Sequence, residues 1–209
     1  MDILIIAATG FEIQPSIRKL KKMGATVVIS GVGAAPSVYV ITKAIQKYKP
    51  KLIIQAGIAG CFNRKYALGD VLLVSKDNFG DIGVVEHKEW KSIFDLNLIP
   101  SHQKPFKEGW LVNPHRKLIA NTGLETVSAT TVNEISTNKS RISLFIKQGF
   151  VLESMEGAAL HYVALVEKIP FLQIRAISNY VGVRDKSKWK IAEAITNLNT
   201  ELMRVIDGQ

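Results

Sequence analysis

Residues 153–184 read ESMEGAALHYVALVEKIPFLQIRAISNYVGVR, and the reading of this stretch decides the fold. Met155 to Lys168 has the composition of a helix, and the Ser154 hydroxyl can accept from an N–H of its first turn. Pro170 stops that helix, because proline cannot continue it and restrains Ile169 before it. Phe171 to Ile177 is short, apolar and partly β-branched, which predicts a central strand. Glu156 opens the helix, and Arg175–Ala176–Ile177–Ser178–Asn179 closes the strand. Polar groups at both ends of an otherwise buried unit mark a site, since an unpaired buried polar group is costly.

Upstream, the same alternation recurs. Ile3 to Ala8 predicts a strand buried on both faces, followed by a loop at Thr9–Glu12. A helix from Ile13 to Met23 follows, with Pro15 in its first turn and Gly24 beyond its end. Thr26–Ser30 reads as a strand, Ala35–Tyr48 as a helix and Leu52–Ala56 as the third strand, followed by Gly57–Gly60. This order predicts an α/β fold with a mostly parallel sheet. Ligands in such sheets bind beyond the carboxyl ends of the strands, where Glu12, Gly33 and Gly57–Gly60 fall. Further strands are expected at Val71–Ser75, Leu124–Thr130 and Phe150–Glu153, and helices at Asn138–Lys147 and Lys188–Ile206. Residues 77–115, which include DNFGDIG, read as a long excursion with short strands. There is no linker or repeat, so residues 1–209 read as a single domain.

The totals agree with this. A hydrophobic content of 47% and a charged content of 22% in 209 residues describe a globular chain. The net charge of +9 raises nucleic acid as a partner, but the basic residues are scattered. The densest groups, Lys19, Lys21, Lys22 and Lys186, Lys188, Lys190, read as solvated helix faces, and no basic stretch is interleaved with aromatics. Cys61 is the only cysteine; it allows no intrachain disulfide and fits a cytoplasmic location. His87, His102, His115 and His161 show no metal-ligand spacing. The start, MDILIIAATGFE, lacks a basic n-region and is too short to anchor in a membrane.

IIAATGFE, QAGIAG followed by LGDVLLV, and SMEGAA with PFLQIRAISN, in this order and nearly end to end, resemble the purine nucleoside phosphorylase/nucleosidase family. Within it, ESMEGAA, PFLQIRAISNYV and DNFGDIG are most similar to the futalosine hydrolase branch. The resemblance implies a single-domain α/β sandwich with a mixed, partly barrel-like central sheet flanked by helices. It also implies a homo-oligomer acting on a small nucleoside, with water as co-substrate and no cofactor or metal.

Carried over residue by residue, the resemblance makes Glu12 the carboxylate that activates water. Asn179 becomes the residue at purine N7, where adenine-specific nucleosidases carry Asp. An amide donates and accepts at once, so Asn179 suits a 6-oxopurine and acts by hydrogen bonding as charge develops on the base. Glu156 would accept from the ribose 2′ and 3′ hydroxyls, with Met155 against the sugar. Ala59 and Gly60 would let backbone approach the ligand, Thr131 and Val132 would flank the base, and Ser178 would position Asn179 or the water. For Arg175 two readings stand: it orients a site carboxylate, or it belongs to a structural buried pair. Cys61 reads as a small buried hydrophobe. The early loop, with Glu12 and Gln14, lacks a phosphate-gripping arginine, which favours hydrolysis over phosphorolysis. The rivals are a methylthioadenosine/S-adenosylhomocysteine nucleosidase, a phosphorylase and, remotely, a non-catalytic nucleoside- or nucleic-acid-binding domain.

Overall fold

Two long strands lie side by side at the centre of the molecule, and the rest is assembled on them. The computed structural model describes residues 2–87 and 89–208. In chain order its elements are β1 (Ile3–Ala7), α1 (Gly10–Ile13), α2 (Ile17–Lys22), β2 (Thr26–Ile29), α3 (Ala34–Tyr48), β3 (Leu52–Cys61) and β4 (Val71–Asp77). Then come β5 (Gly83–Glu86), β6 (Glu89–Ser92), β7 (Leu111–Val112), α4 (Arg116–Asn121), β8 (Thr126–Thr131) and α5 (Lys139–Lys147). The chain ends with β9 (Leu152–Ser154), α6 (Gly157–Glu167), β10 (Phe171–Tyr180) and α7 (Ile191–Asp207).

The central pair is β3 and β10, parallel and in register from Ile53↔Phe171 to Cys61↔Tyr180. β10 also pairs antiparallel with β4, β4 parallel with β8, β8 parallel with β9, and β9 antiparallel with β3. These pairings close a small ring, β3–β9–β8–β4–β10, so the sheet is mixed and partly a barrel. β1 and β2 extend it from β3, and β7 pairs with β4. β5 and β6 form a separate hairpin.

Strand periodicity divides the core. Ile54, Ala56, Ile174 and Ala176 face α7 through Leu198 and Leu202. Leu4, Ile6, Ile53 and Phe171 face Ile41 of α3 and Leu160 of α6. Ala59, Cys61, Leu72, Val74, Val127, Ala129, Leu152 and Ile177 pack together as the third cluster. Each fully buried aliphatic side chain contributes about 1.5–3 kcal/mol.

Four sequence expectations need correction. Pro15 does not sit within one helix: α1 ends at Ile13 and α2 begins at Ile17, because proline supplies no N–H to carry the ladder on. Gly57–Gly60 does not lie beyond the third strand. Pairing with Arg175, Ala176, Ile177 and Asn179 keeps it in β3, and tertiary pairing outweighs glycine's weak strand preference. α6 starts at Gly157 and not Met155. α7 starts at Ile191, and Lys186–Lys188 is one 3-10 turn instead of a helix face.

Candidate active site

Two charged side chains, Glu12 and Arg175, converge over Gly57. Thr9 and Glu12 form a capping box around the single turn of α1, the reciprocal bonding expected when Thr precedes Glu by three residues. Glu12 is buried. Its Oε2 accepts from the Thr9 N–H at 2.9 Å and the Thr9 hydroxyl at 3.0 Å, and its Oε1 accepts from the Ile58 N–H at 3.0 Å. The short helix therefore holds the carboxylate across the edge of β3. A Cβ on Gly57 would lie 2.9 Å from Glu12 Oε1 and would collide with Arg175 Nη1, so carboxylate and guanidinium share the space that glycine leaves.

Arg175 is 1% exposed. Its Nη2 donates to Gln55 Oε1 at 2.9 Å, and its Nη1 reaches the Ile58 carbonyl at 3.5 Å and Glu156 Oε2 at 3.8 Å. Glu156 is the N-cap residue of α6, yet its side chain makes no capping bond. Ser154 Oγ accepts from the Gly157 N–H at 3.3 Å and Thr131 Oγ1 from the Ala158 N–H at 2.7 Å. With capping done by these hydroxyls, the Glu156 carboxylate turns outward and accepts from the Gly33 N–H at 3.0 Å. Gly33 has φ of 99°, a conformation glycine adopts without a steric penalty. A carboxylate has about four acceptor positions, so Glu156 keeps capacity for two hydroxyls.

Asn179 lies three β3 residues further on, about 10 Å along the strand, paired with Gly60. The register shifts between Ile177 and Asn179, and such a bulge re-aims a side chain. Ser178 Oγ donates to Asn179 Oδ1 at 2.9 Å and is 3.2 Å from the Ala59 carbonyl. Asn179 Nδ2 donates to the Tyr180 carbonyl at 3.2 Å. Each end of the amide is used once, leaving one donor hydrogen and one acceptor position.

The structure thus gathers Glu12, Arg175 and Glu156 at one end and Asn179, Ser178 and Gly60 at the other. Met155, half-buried, joins β9 to α6 beside Glu156. Ala59 points its methyl into the third core cluster. Thr131 and Val132 are occupied elsewhere. Thr131 serves α6 and Asp77, and Val132 is buried against Phe145 and Phe150. Their N–H groups are bonded to the Asn78 and Ser154 carbonyls. Cys61 is buried, and that burial pushes its thiol up to about 11, the state of a packing residue rather than a nucleophile.

Sequence reasoning missed Asp77, Gln55, Gln173 and His161, all buried behind Arg175. Glutamines in the middle of two apolar runs, LIIQAG and FLQIR, were the available signal. Among the described residues no cluster of three or more His, Cys, Asp or Glu could hold a metal ion, and no helix is long and apolar enough to cross a membrane. A recess of about 520 Å³ lined by Asp70, Glu125, Asn197 and Arg204 contains none of the site residues.

A family profile described as the phosphorylase superfamily matches residues 8–207, and the chain belongs to that superfamily. Among particular relatives, it is 25% identical over 192 residues to the futalosine hydrolase of Thermus thermophilus, a match covering 90% of this chain and 84% of that one. It is 31% identical over 181 residues to 5′-methylthioadenosine nucleosidase of Arabidopsis thaliana, covering 86% of this chain and 61% of that protein's length. The fold is that of 5′-methylthioadenosine/S-adenosylhomocysteine nucleosidase from Helicobacter pylori, solved with butyl-thio-DADMe-Immucillin-A. The TM-score is 0.82 at 16% identity, over 99% of this chain and 98% of that one.

Proposed function

We propose that this protein is a nucleosidase that hydrolyses the N-ribosidic bond of a purine nucleoside, and that its substrate is futalosine, released as hypoxanthine and dehypoxanthine futalosine. The observation that carries the reading is the placement of Glu12. Its carboxylate is fixed by three donors beside the buried Glu156–Arg175 pair, and it is the group that takes a proton from water attacking the anomeric carbon. Glu156 holds the ribose hydroxyls, and Arg175 keeps both carboxylates in place. Asn179, steadied by Ser178, supports the departing base through hydrogen bonds. Met155 and the backbone at Ala59, Gly60, Thr131 and Val132 complete the walls as the family resemblance implies.

Hydrolysis is favoured over phosphorolysis by charge. The buried guanidinium of Arg175 already faces Glu156 and Glu12, and two carboxylates at that point would repel a phosphate dianion. The same reading expects a homo-oligomeric cytoplasmic enzyme formed as one domain, working without a cofactor. The second reading, cleavage of methylthioadenosine, is kept by the Arabidopsis relative.

The test is base release from futalosine, methylthioadenosine and inosine, each with and without phosphate. Phosphate-independent hypoxanthine from futalosine is expected. Adenine from methylthioadenosine in its place would withdraw the substrate assignment and keep the nucleosidase. An Asn179→Asp variant introduces an acid that can protonate a leaving adenine. It is expected to raise the rate on methylthioadenosine relative to futalosine by about tenfold or more; an unchanged ratio would mean that residue 179 does not set base choice.

A further inference from the structure

Behind Arg175 lies a chain of buried groups that the reaction itself does not use. Asp77, at the end of β4, is fully buried. Its Oδ1 accepts from the Asn78 N–H at 2.8 Å and the Thr131 hydroxyl at 3.1 Å, and its Oδ2 accepts from Gln173 Nε2 at 3.1 Å. Gln173 sits beside Gln55 in the β3–β10 register, and its amide is a neighbour of the His161 imidazole on α6. His161 Nδ1 is 2.8 Å from the Leu111 carbonyl, and its ring packs edge to face on Phe171 at 4.6 Å. The charged group that faces this chain is Arg175 from β10, and Gly157 at the start of α6 packs directly on Asp77 and Gln173.

Counting donors exposes a missing proton. A carbonyl only accepts, so His161 Nδ1 carries the hydrogen and the neutral ring presents Nε2 as an acceptor. Gln173 spends its NH₂ on Asp77 and presents Oε1. His161 Nε2 and Gln173 Oε1 are both buried acceptors without a partner. One proton satisfies both atoms in either of two ways. It sits on His161 Nε2 and donates to Gln173 Oε1 while Asp77 is ionised. Otherwise it sits on Asp77 and donates to Gln173 Oε1 of the turned-over amide, whose NH₂ then donates to His161 Nε2. An amide serves equally well in both orientations.

We propose that Asp77, Gln173 and His161 form a buried relay that takes up one proton as pH falls and positions Glu156 and Arg175 for the hydrolysis. The mechanical link is short. Asp77 orients the Thr131 hydroxyl, which accepts from the second N–H of α6 and so frees Glu156 from capping its own helix. Gln55 ties the other side, accepting from Arg175 and lying 3.4 Å from the Glu156 carbonyl. Burial pushes the Asp77 carboxyl up to about 6 and the His161 imidazole down to about 4, so Asp77 takes the proton first as pH falls.

The positioning role rests on the nucleosidase reading, and the experiment separates the two. In the first arm kcat and KM are measured for wild type, Asp77→Asn, Glu156→Gln and the double variant, on whichever of the three nucleosides the wild type cleaves. Asp77→Asn alone is expected to lose about tenfold to a hundredfold in kcat/KM, and the double variant to lie within about threefold of Glu156→Gln alone. Multiplicative losses would overturn the positioning role. If Asp77→Asn does not fold, Gln173→Met, which keeps volume and removes the bridge, takes its place in the cycle.

The second arm needs no turnover. Between pH 4 and 6 a carboxyl whose native pKa is raised lowers stability as pH rises, and an imidazole whose native pKa is depressed raises it. The two slopes oppose each other in wild type. In Asp77→Asn the carboxyl's opposing slope is gone, and Tm is expected to climb more steeply with pH over this window. In Gln173→Met, if that substitute is needed, both groups still titrate but the bond that held the carboxyl down is lost, and the fall of Tm with pH is expected to extend to higher pH than in wild type. Parallel Tm profiles would overturn the relay, even if no nucleoside proves to be a substrate.

Discussion

Glu12→Gln is expected to lower kcat on the nucleoside substrate by about a hundredfold to ten-thousandfold, the range of a lost general base, while the affinity for the free base stays within about twofold. The substitution is mild for the fold. Glutamine serves at the third position of a capping box as well as glutamate does, so one amide oxygen can still accept from Thr9. What cannot be kept is acceptance at both ends: the NH₂ must meet either the Ile58 N–H or the Thr9 groups. One lost hydrogen bond costs about 1 kcal/mol, a Tm change of about 2–4 °C in a chain of this size. The lost turnover therefore reports proton acceptance rather than collapse of the site. The checking measurements are single-turnover base release, calorimetric binding of hypoxanthine and a thermal melt. Retained turnover would sink the assignment of Glu12 as the base and leave its capping role as the whole explanation of the residue.

Glu12 also shows where sequence reasoning reaches and where it stops. The acid was legible as a strand-end group, and the structure adds a place in the first turn of a helix, because Pro15 cuts off a one-turn helix that carries it to the end of β1. The long apolar segments β1, β3 and β10 and the amphipathic α3 and α7 were legible from periodicity. α4 was not, since RKLIAN is short and contributes no buried residue. The closing of the ring was not legible either. It depends on β10 pairing with both β3 and β4 and on β9 bridging β3 and β8, facts of register between distant segments. For the same reason Asn179, Glu156 and Arg175 were found through a local motif, whereas Asp77 and His161 were not. Their partners lie 96 and 50 residues away in the chain, and nothing beside them in sequence announces the contact.

Gly57→Ala is expected to be a damaging single-methyl change at the site. Gly57 lies in β3 with no left-handed φ, so the backbone would accept alanine without strain, and only the space forbids it. The added Cβ would collide with Arg175 Nη1, lie 2.9 Å from Glu12 Oε1 and 3.4 Å from Arg175 Cζ. Guanidinium tips usually move aside at little cost. Here the group is 1% exposed and bonded to Gln55, so moving it breaks that bond and loosens its hold on Glu156. Overpacking of this kind costs about 1–3 kcal/mol of stability. The loss in kcat/KM is expected to exceed what stability explains, about a hundredfold or more, because an ångström of displacement in a positioned group has that effect on rate. Gly10→Ala is the control: a Cβ there meets nothing within 4 Å. Thermal melts and base-release rates of the two variants separate the cases. If Gly57→Ala melts lower but turns over normally, Arg175 belongs to the buried pair for structural reasons alone, and the site must be organised without its help.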